Sequence, residues 1–337
     1  MKQVTTAIIG CGQRGPVHGK VAKSSDRLRL LAVCDLDEER ARKTGEMLDV
    51  EHVVDYHDLL SRDDLDSVII STHTRHHGEI AIDAVDSGKS ILVEKPLVDS
   101  VKTARRLVDA TERAGVVGMV AYQMRFTEFS AALKREAARV EPIQALFTVQ
   151  RGMMAPQYFF PEHYGGVIDT ASHTIHRALW IMEQEPSGIY ATVRRGVFRD
   201  EKAIEFANMV IDYEDGERAV NIVTSLAAPS THNIIQIVGR RGTLTSIDRN
   251  DMSIVTHAGF RPDKTPIDMN LRTVSVEREA HPELRMQEHF ADLVLGTTTE
   301  RYGNSLWDGM LSVAITEAAA ESARRGERVE LKRLLEE

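Results

Sequence analysis

Only two cysteines, Cys11 and Cys34, occur among the 337 residues. Both fall in or at the end of apolar, strand-like segments, so neither a disulfide framework nor a cysteine metal site is supported, and a reducing compartment is expected. Positive charge is in deficit as well: 42 Lys and Arg against 51 Asp and Glu give a net charge of −9, which repels nucleic-acid backbones and anionic lipid. General nucleic-acid binding is disfavoured. Long apolar runs are missing; stretches such as Val116–Ala121 fall far short of the ~20 residues that cross a bilayer. The apolar part of Met1–Gly10 is too short for a signal peptide and leads straight into a glycine turn, so a cytoplasmic protein with no membrane partner is expected. There is no internal repeat and no low-complexity segment. What is present is a globular composition, 42% hydrophobic and 28% charged, in a chain long enough for two domains of roughly 100–200 residues each.

The first part alternates short β-branched runs (Thr5–Ile9, Arg29–Cys34, Ser67–Ser71, Ser90–Val93, Val117–Ala121) with helical stretches near Gln13 and at Asp37–Leu48, His57–Ser61, His76–Ser87 and Ser100–Ala114. That alternation predicts a parallel sheet with crossover helices over residues 1–122. From residue 123 to 337 the texture changes to a helix at Glu128–Arg139 and then to longer strand-like segments. These run from Ala145–Gln150 through Gly188–Phe198, Glu205–Tyr213, Ala219–Leu226, Asn233–Val238 and Gly242–Ile247 to Met252–His257. Turn signals at Glu214-Asp215-Gly216 and Arg240-Arg241-Gly242 join several of them, which predicts a large, mostly antiparallel open sheet in a second α/β domain. Helices are expected at Val167–Glu183, Glu283–Leu295 and Ser305–Arg325, and a surface loop at Ala258–Asp268.

Gly10-Cys11-Gly12-Gln13-Arg14-Gly15 is a G-x-G-x-x-G between the first strand and the first helix. Such glycines allow a tight turn and close backbone approach to a pyrophosphate, and the helix N-terminus offers free N–H groups. Asp35 ends the second strand 20 residues after Gly15, where an acid would hydrogen-bond the adenosine ribose. Asp37, Glu38 and Glu39 follow before the first basic neighbour, Arg40, so NAD is expected over NADP. Glu94-Lys95-Pro96 follows a strand at the carboxyl edge, where ligands of open α/β sheets bind; a lysine there can exchange a proton with a substrate hydroxyl, or can be an ordinary surface residue. Asp169 and His173 stand four apart on an expected helix and share one face, with His176 three further on. A histidine can take the hydroxyl proton when hydride leaves a carbinol carbon, and a carboxylate can orient it; the pair can equally just support the helix. His73, His76 and His77 match no zinc-ligand spacing, so no metal is expected; Thr72, His73 and His77 are read instead as contacts of the cofactor loop. Arg125 could bind substrate oxygens or pair with an acid between domains. Tyr158, in the aromatic run before Gly165, could wall a sugar site or belong to the core.

In order and separation these motifs resemble the glucose–fructose oxidoreductase and inositol dehydrogenase (Gfo/Idh/MocA) family over essentially the whole chain. The resemblance implies a Rossmann domain followed by an α/β domain whose open sheet forms a homodimer or homotetramer. It implies NAD binding by Gly10, Gly12, Gln13, Arg14, Gly15, Asp35, Thr72, His73, His77, Glu94, Lys95 and Gln123. Lys95, Asp169 and His173 become the catalytic residues, and Lys95, Arg125, Tyr158, Asp169 and His173 the contacts to a small polyhydroxylated substrate. The implied activity is oxidation or reduction of a secondary alcohol or ketone of a sugar, cyclitol or similar compound. A hydrolase or lyase that retains NAD and uses transient oxidation shares the same motifs. Three departures stand out: Thr72-His73-Thr74 replaces the family's T-P-N, His176 replaces a common aspartate, and the spacing from the glycines to Asp169 is one residue shorter.

Overall fold

A computed structural model describes residues 2–152, 171–197, 204–228, 230–248, 251–276, 281–300 and 302–336. They form two compact units, one of Met1–Phe126 with Ala280–Val313 and one of Thr127–Glu279 with Ala314–Glu337.

The first unit is a six-stranded sheet built from β1 (Val4–Ile9), β2 (Leu28–Cys34), β3 (Glu51–Val53), β4 (Ser67–Ile70), β5 (Ser90–Val93) and β6 (Gly118–Val120). Its order is β3-β2-β1-β4-β5-β6 and every pairing is parallel. The chain reverses direction across the sheet between β1 and β4, the switch point where ligands of such sheets bind. Every residue of β1, β4 and β5 is buried, as their mostly apolar character allows when helices cover both faces. The crossovers are α1 (Gly15–Ser24), α2 (Glu38–Leu48), α3 (Tyr56–Leu60), α4 (Thr74–Asp86) and α5 (Val101–Ala114). Local chemistry sets their ends. The Ser100 hydroxyl accepts the N–H of Thr103 to start α5, and Gly115, at φ 66°, ends it in the left-handed conformation. Between those caps Val101, Ala104, Leu107, Val108 and Thr111 bury one face.

Register brings the strand ends level. Ile9 pairs with Cys34 and with Ile70, Ile70 with Val93, and Val93 with Val120. The residues that follow, Gly10, Asp35, Ser71, Glu94 and Ala121, therefore emerge along one edge.

The late segment of this unit was expected in the second domain. The helix Pro282–Val294 buries Met286, Phe290 and Ala291 in one core cluster with Val4, Ile8, Leu28, Met119 and Phe126. Asn304 accepts the N–H of Val120 at 2.9 Å, and Ser305 bridges Met119 beside β6. Hydrophobic periodicity marks such a helix but not which sheet it covers.

The second unit carries a nine-stranded sheet: β7 (Pro142–Gly152), β8 (Pro186–Arg194), β9 (Phe206–Tyr213), β10 (Ala219–Ala228), β11 (His232–Gly239), β12 (Gly242–Ile247), β13 (Asp251–Thr256), β16 (Asn270–Ser275) and β17 (Val329–Glu330). The order is β16-β13-β12-β11-β7-β10-β9-β8-β17, and only β7 with β10 is parallel. The mostly antiparallel sheet agrees with expectation. The segment Ala258–Asp268 is not wholly loop: β14 (Gly259–Phe260) and β15 (Pro266–Ile267) pair as a small hairpin, too short and too exposed to leave an alternating pattern. One face of the large sheet buries Ala145, Phe147, Met209, Ile211, Val220, Ile222, Ile237 and Leu244. Against it pack α6 (Glu128–Val140) and α7 (Ser172–Met182). Val223, Val238 and Ile247, each next to a buried residue, remain exposed, as does Leu271 in the edge strand. Among the described residues no helix is long and apolar enough to cross a membrane.

Candidate cofactor and active site

The glycine turn is shaped by close approach. Gly10 has φ 99°, and a Cβ there would stand 2.7 Å from the backbone of Ser71 and Thr72; a Cβ on Gly15 would reach 2.0 Å from the Gly10 carbonyl. Gly12 is the opposite case, with nothing within 4 Å of a Cβ position. That is open space above the turn where another backbone or a phosphate can approach. The α1 N-terminus has no side-chain cap and no acid in its first turn, so its N–H groups and positive dipole end stay available to an anion.

Asp35 bridges to this turn. Its Oδ2 accepts the Cys11 N–H at 2.8 Å and its Oδ1 accepts the Asp37 N–H at 2.9 Å. Both bonds fix the carboxylate beside the turn, where a ribose would lie.

Arg14 and Glu94 point toward each other and not outward. Glu94 is 6% exposed, and its Oε1 accepts from Arg14 Nε at 2.8 Å and from His18 Nε2 at 2.9 Å, while Oε2 accepts the Lys95 N–H at 3.0 Å. Burial alone would raise this carboxyl, but the hydrogen bonds from His18 and Arg14 and the Arg14 charge outweigh it and hold Glu94 well below the usual carboxylate range. His18 is itself fully buried; Gln287 Nε2 donates to its Nδ1 at 3.0 Å, which leaves the ring proton on Nε2 for Glu94. The side chains of Glu94 and Arg14 therefore position the Lys95 backbone and the turn, and the half-buried Lys95 side chain leaves from that anchored stem.

His77 has a similar place. It is 1% exposed; its Nδ1 lies 3.1 Å from the Pro96 carbonyl and 3.2 Å from that of Leu97, and its Nε2 lies 3.1 Å from the Thr72 carbonyl. Carbonyls only accept and a neutral imidazole carries one N–H, so the ring packs between two loops at the sheet edge and donates to one side at a time. Burial pushes its pKa down, and the carbonyl bonds oppose the shift. Thr72 contributes that carbonyl, whereas His73, which precedes α4, and Gln13 in the turn are exposed.

A short 3-10 helix, Gln123–Phe126, follows β6. Gln123 Oε1 is buried and meets no donor among the described residues, a polar atom that suits a bound amide or hydroxyl. Arg125 is 6% exposed, and its Nη1 donates to the Tyr302 carbonyl at 3.1 Å. Desolvation disfavours its charge, and the nearby Asp308 carboxylate supports it.

In the second unit His173 is half-buried in the first turn of α7, and His176 lies 2% exposed one turn on. Asp169, Tyr158, Gly165 and Gly166 lie outside the described residues. No group of three or more His, Cys, Asp or Glu side chains is gathered as a metal would need, among the described residues. Cys11 and Cys34 are free and buried.

Two contributors were not anticipated. His18 had a signal, since it lies three residues after Gly15 and so one turn into α1, on the side that meets the sheet. Gln287 had none, because nothing in a sequence ties residue 287 to residue 18.

Open glycine turn, free helix end, acid at the end of β2 and uncommitted amide oxygen fit a dinucleotide, and together with the strand order they define a nucleotide-binding Rossmann unit. Residues 4–122 match the oxidoreductase family with an NAD-binding Rossmann fold, and residues 145–331 match that family's C-terminal alpha/beta domain. The chain belongs to the Gfo/Idh/MocA oxidoreductase family. It is similar to the scyllo-inositol 2-dehydrogenase (NAD(+)) of Bacillus subtilis (strain 168), with 28% identity over 342 residues, covering 98% of this chain and 96% of that protein. A 2,7-anhydro-N-acetylneuraminate hydratase of Mediterraneibacter gnavus is 33% identical over 126 residues, 37% of this chain and 33% of its own. The fold is shared with the myo-inositol dehydrogenase of Lactobacillus casei solved with NAD(H) and myo-inositol: TM-score 0.80, 22% identity, covering 98% of this chain and 97% of that one.

Proposed function

We propose that this protein is an NAD-dependent dehydrogenase that interconverts a secondary alcohol and a ketone on a cyclitol, sugar or related polyhydroxy compound. The observation that carries the reading is the alignment, on one carboxyl edge, of the open glycine turn, Asp35 and the anchored Lys95, in a chain similar along nearly its whole length to an inositol dehydrogenase. Asp35 holds the adenosine ribose and favours NAD over NADP. Gly10, Gly12, Gly15 and the α1 N-terminus receive the pyrophosphate, and Gln123 contacts the nicotinamide side. When bound, NAD accepts or returns the hydride. His173 takes the hydroxyl proton during oxidation and returns it during reduction, Asp169 fixes the imidazole, and Lys95 polarises the substrate oxygen. Arg125 acts from inside the fold by shaping the segment that carries Gln123, and Tyr158 borders the substrate. The exposed sheet residues Val223, Val238 and Ile247 support a homodimer or homotetramer through that face, and the two buried thiols are consistent with a reducing cytoplasm.

The test is an NAD-reduction screen against inositols, sugars, sugar acids and amino sugars at slightly alkaline pH, where proton release favours oxidation. Turnover with stoichiometric NADH supports the dehydrogenase; no NAD binding defeats it. The partial likeness to a hydratase favours one second reading, a lyase or hydratase that retains NAD. Product formation without net reduction of added NAD would select it.

A further inference from the structure

Asp35 does not face the solvent alone. Arg40 Nη1 lies 3.3 and 3.5 Å from its two oxygens, and Arg40 Nη2 lies 3.2 Å from Asp37 Oδ2. The Arg40 side chain is 51% exposed and that of Asp35 only 12%. The guanidinium therefore forms the outer rim of the ribose position, with the carboxylate behind it. Further along α2, Glu39 is turned to Lys43 at 2.7 Å, which removes one of the charges that the sequence places against a 2′-phosphate. Asp35 keeps its backbone N–H partners, Cys11 and Asp37, whether or not Arg40 is present. An exposed arginine pair of this kind is weak and screened, so the guanidinium can turn outward at little cost while the carboxylate stays in place. A planar guanidinium is well suited to phosphate.

We propose that Arg40 is a 2′-phosphate acceptor, so that the protein binds NADP as a second cofactor and prefers NAD by only about tenfold, where an unopposed Asp35 would exclude NADP. This rests on the dinucleotide reading above and deepens it. Asp37 competes with the phosphate for the same guanidinium, and its carboxylate holds Arg40 back.

The experiment measures dissociation constants of NAD, NADP, 5′-AMP and adenosine 2′,5′-bisphosphate by calorimetry on the wild type, R40A and D37N. D37N keeps a side-chain oxygen for the helix cap, so α2 stays intact. Expected are measurable NADP binding in the wild type, about tenfold or greater loss of NADP and bisphosphate affinity in R40A with NAD and AMP changed less than about twofold, and a gain of a few-fold for NADP in D37N. Wild-type binding of NAD with none of NADP, or an equal loss of both in R40A, overturns the proposal and leaves the dinucleotide reading standing. Failure of the wild type to bind NAD brings down that reading, and this one with it.

Discussion

Glu94 and His18 meet 2.9 Å apart with both side chains inside the fold, and the pair ties the stem of Lys95 to the first helix after the glycine turn. A carboxylate at that depth persists only because every bond it needs is supplied: Arg14, His18 and its own following amide.

Glu94→Gln should therefore destabilise the fold by about 3 kcal/mol at neutral pH, since it breaks a buried pair and leaves His18 and Arg14 poorly matched. Because the folded carboxyl sits below its ordinary value of 4.5, the stabilisation is fully present above that value and is lost as pH falls through the folded value. Urea unfolding of the two proteins should show the full gap at neutral pH and a narrowing one below about pH 4.

Removing the clasp at His77 should act on the cofactor. In His77→Gln the smaller amide cannot fill the space that the buried ring occupies between the Thr72 carbonyl and those of Pro96 and Leu97, so the Thr72 and Pro96–Leu97 loops uncouple. We expect KM for NAD to rise roughly tenfold while kcat falls less, at a stability cost of about 1–3 kcal/mol from carbonyls left without a donor. Steady-state kinetics with varied NAD, set beside thermal melts, separate the two effects.

Lys95→Ala and His173→Ala should each lower kcat by about 10²–10⁴, the range for loss of a group that handles a proton in the transition state. NAD affinity, read by protein fluorescence, should change less than about threefold. Turnover at the wild-type rate in both variants would remove them from the chemistry.

The glycines should divide by what surrounds them. Gly15→Ala forces a Cβ against the Gly10 carbonyl and should cost both stability and NAD binding. Gly12→Ala meets no protein atom within 4 Å, so its melting temperature should stay near the wild type while NAD affinity drops about tenfold or more. Paired melting curves, with and without NAD, check both.

Much of the first unit could be read in advance, because a buried parallel strand is an apolar run and leaves a plain mark. Ser90–Val93 is found where expected, and Leu28–Cys34 differs by one residue. Glu51–Val53 could not be found: it has three residues, two of them exposed, and pairs only at the sheet edge. In the candidate site, residue types and edge position were legible, but direction was not. Glu94, just after β5, and His77, in the first turns of α4, both turn inward, since a motif fixes where the backbone passes and burial decides which side chain the core claims.

The seating of Phe290 and Met286 beside Val4 and Ile8 has a bearing on biosynthesis. A ribosome must deliver the chain through Val294 before the nucleotide-binding unit can close its own interior, so this unit matures late although most of it is made early. A fragment ending at residue 126 would present bare hydrocarbon where the helix Pro282–Val294 should lie, and would be prone to aggregate.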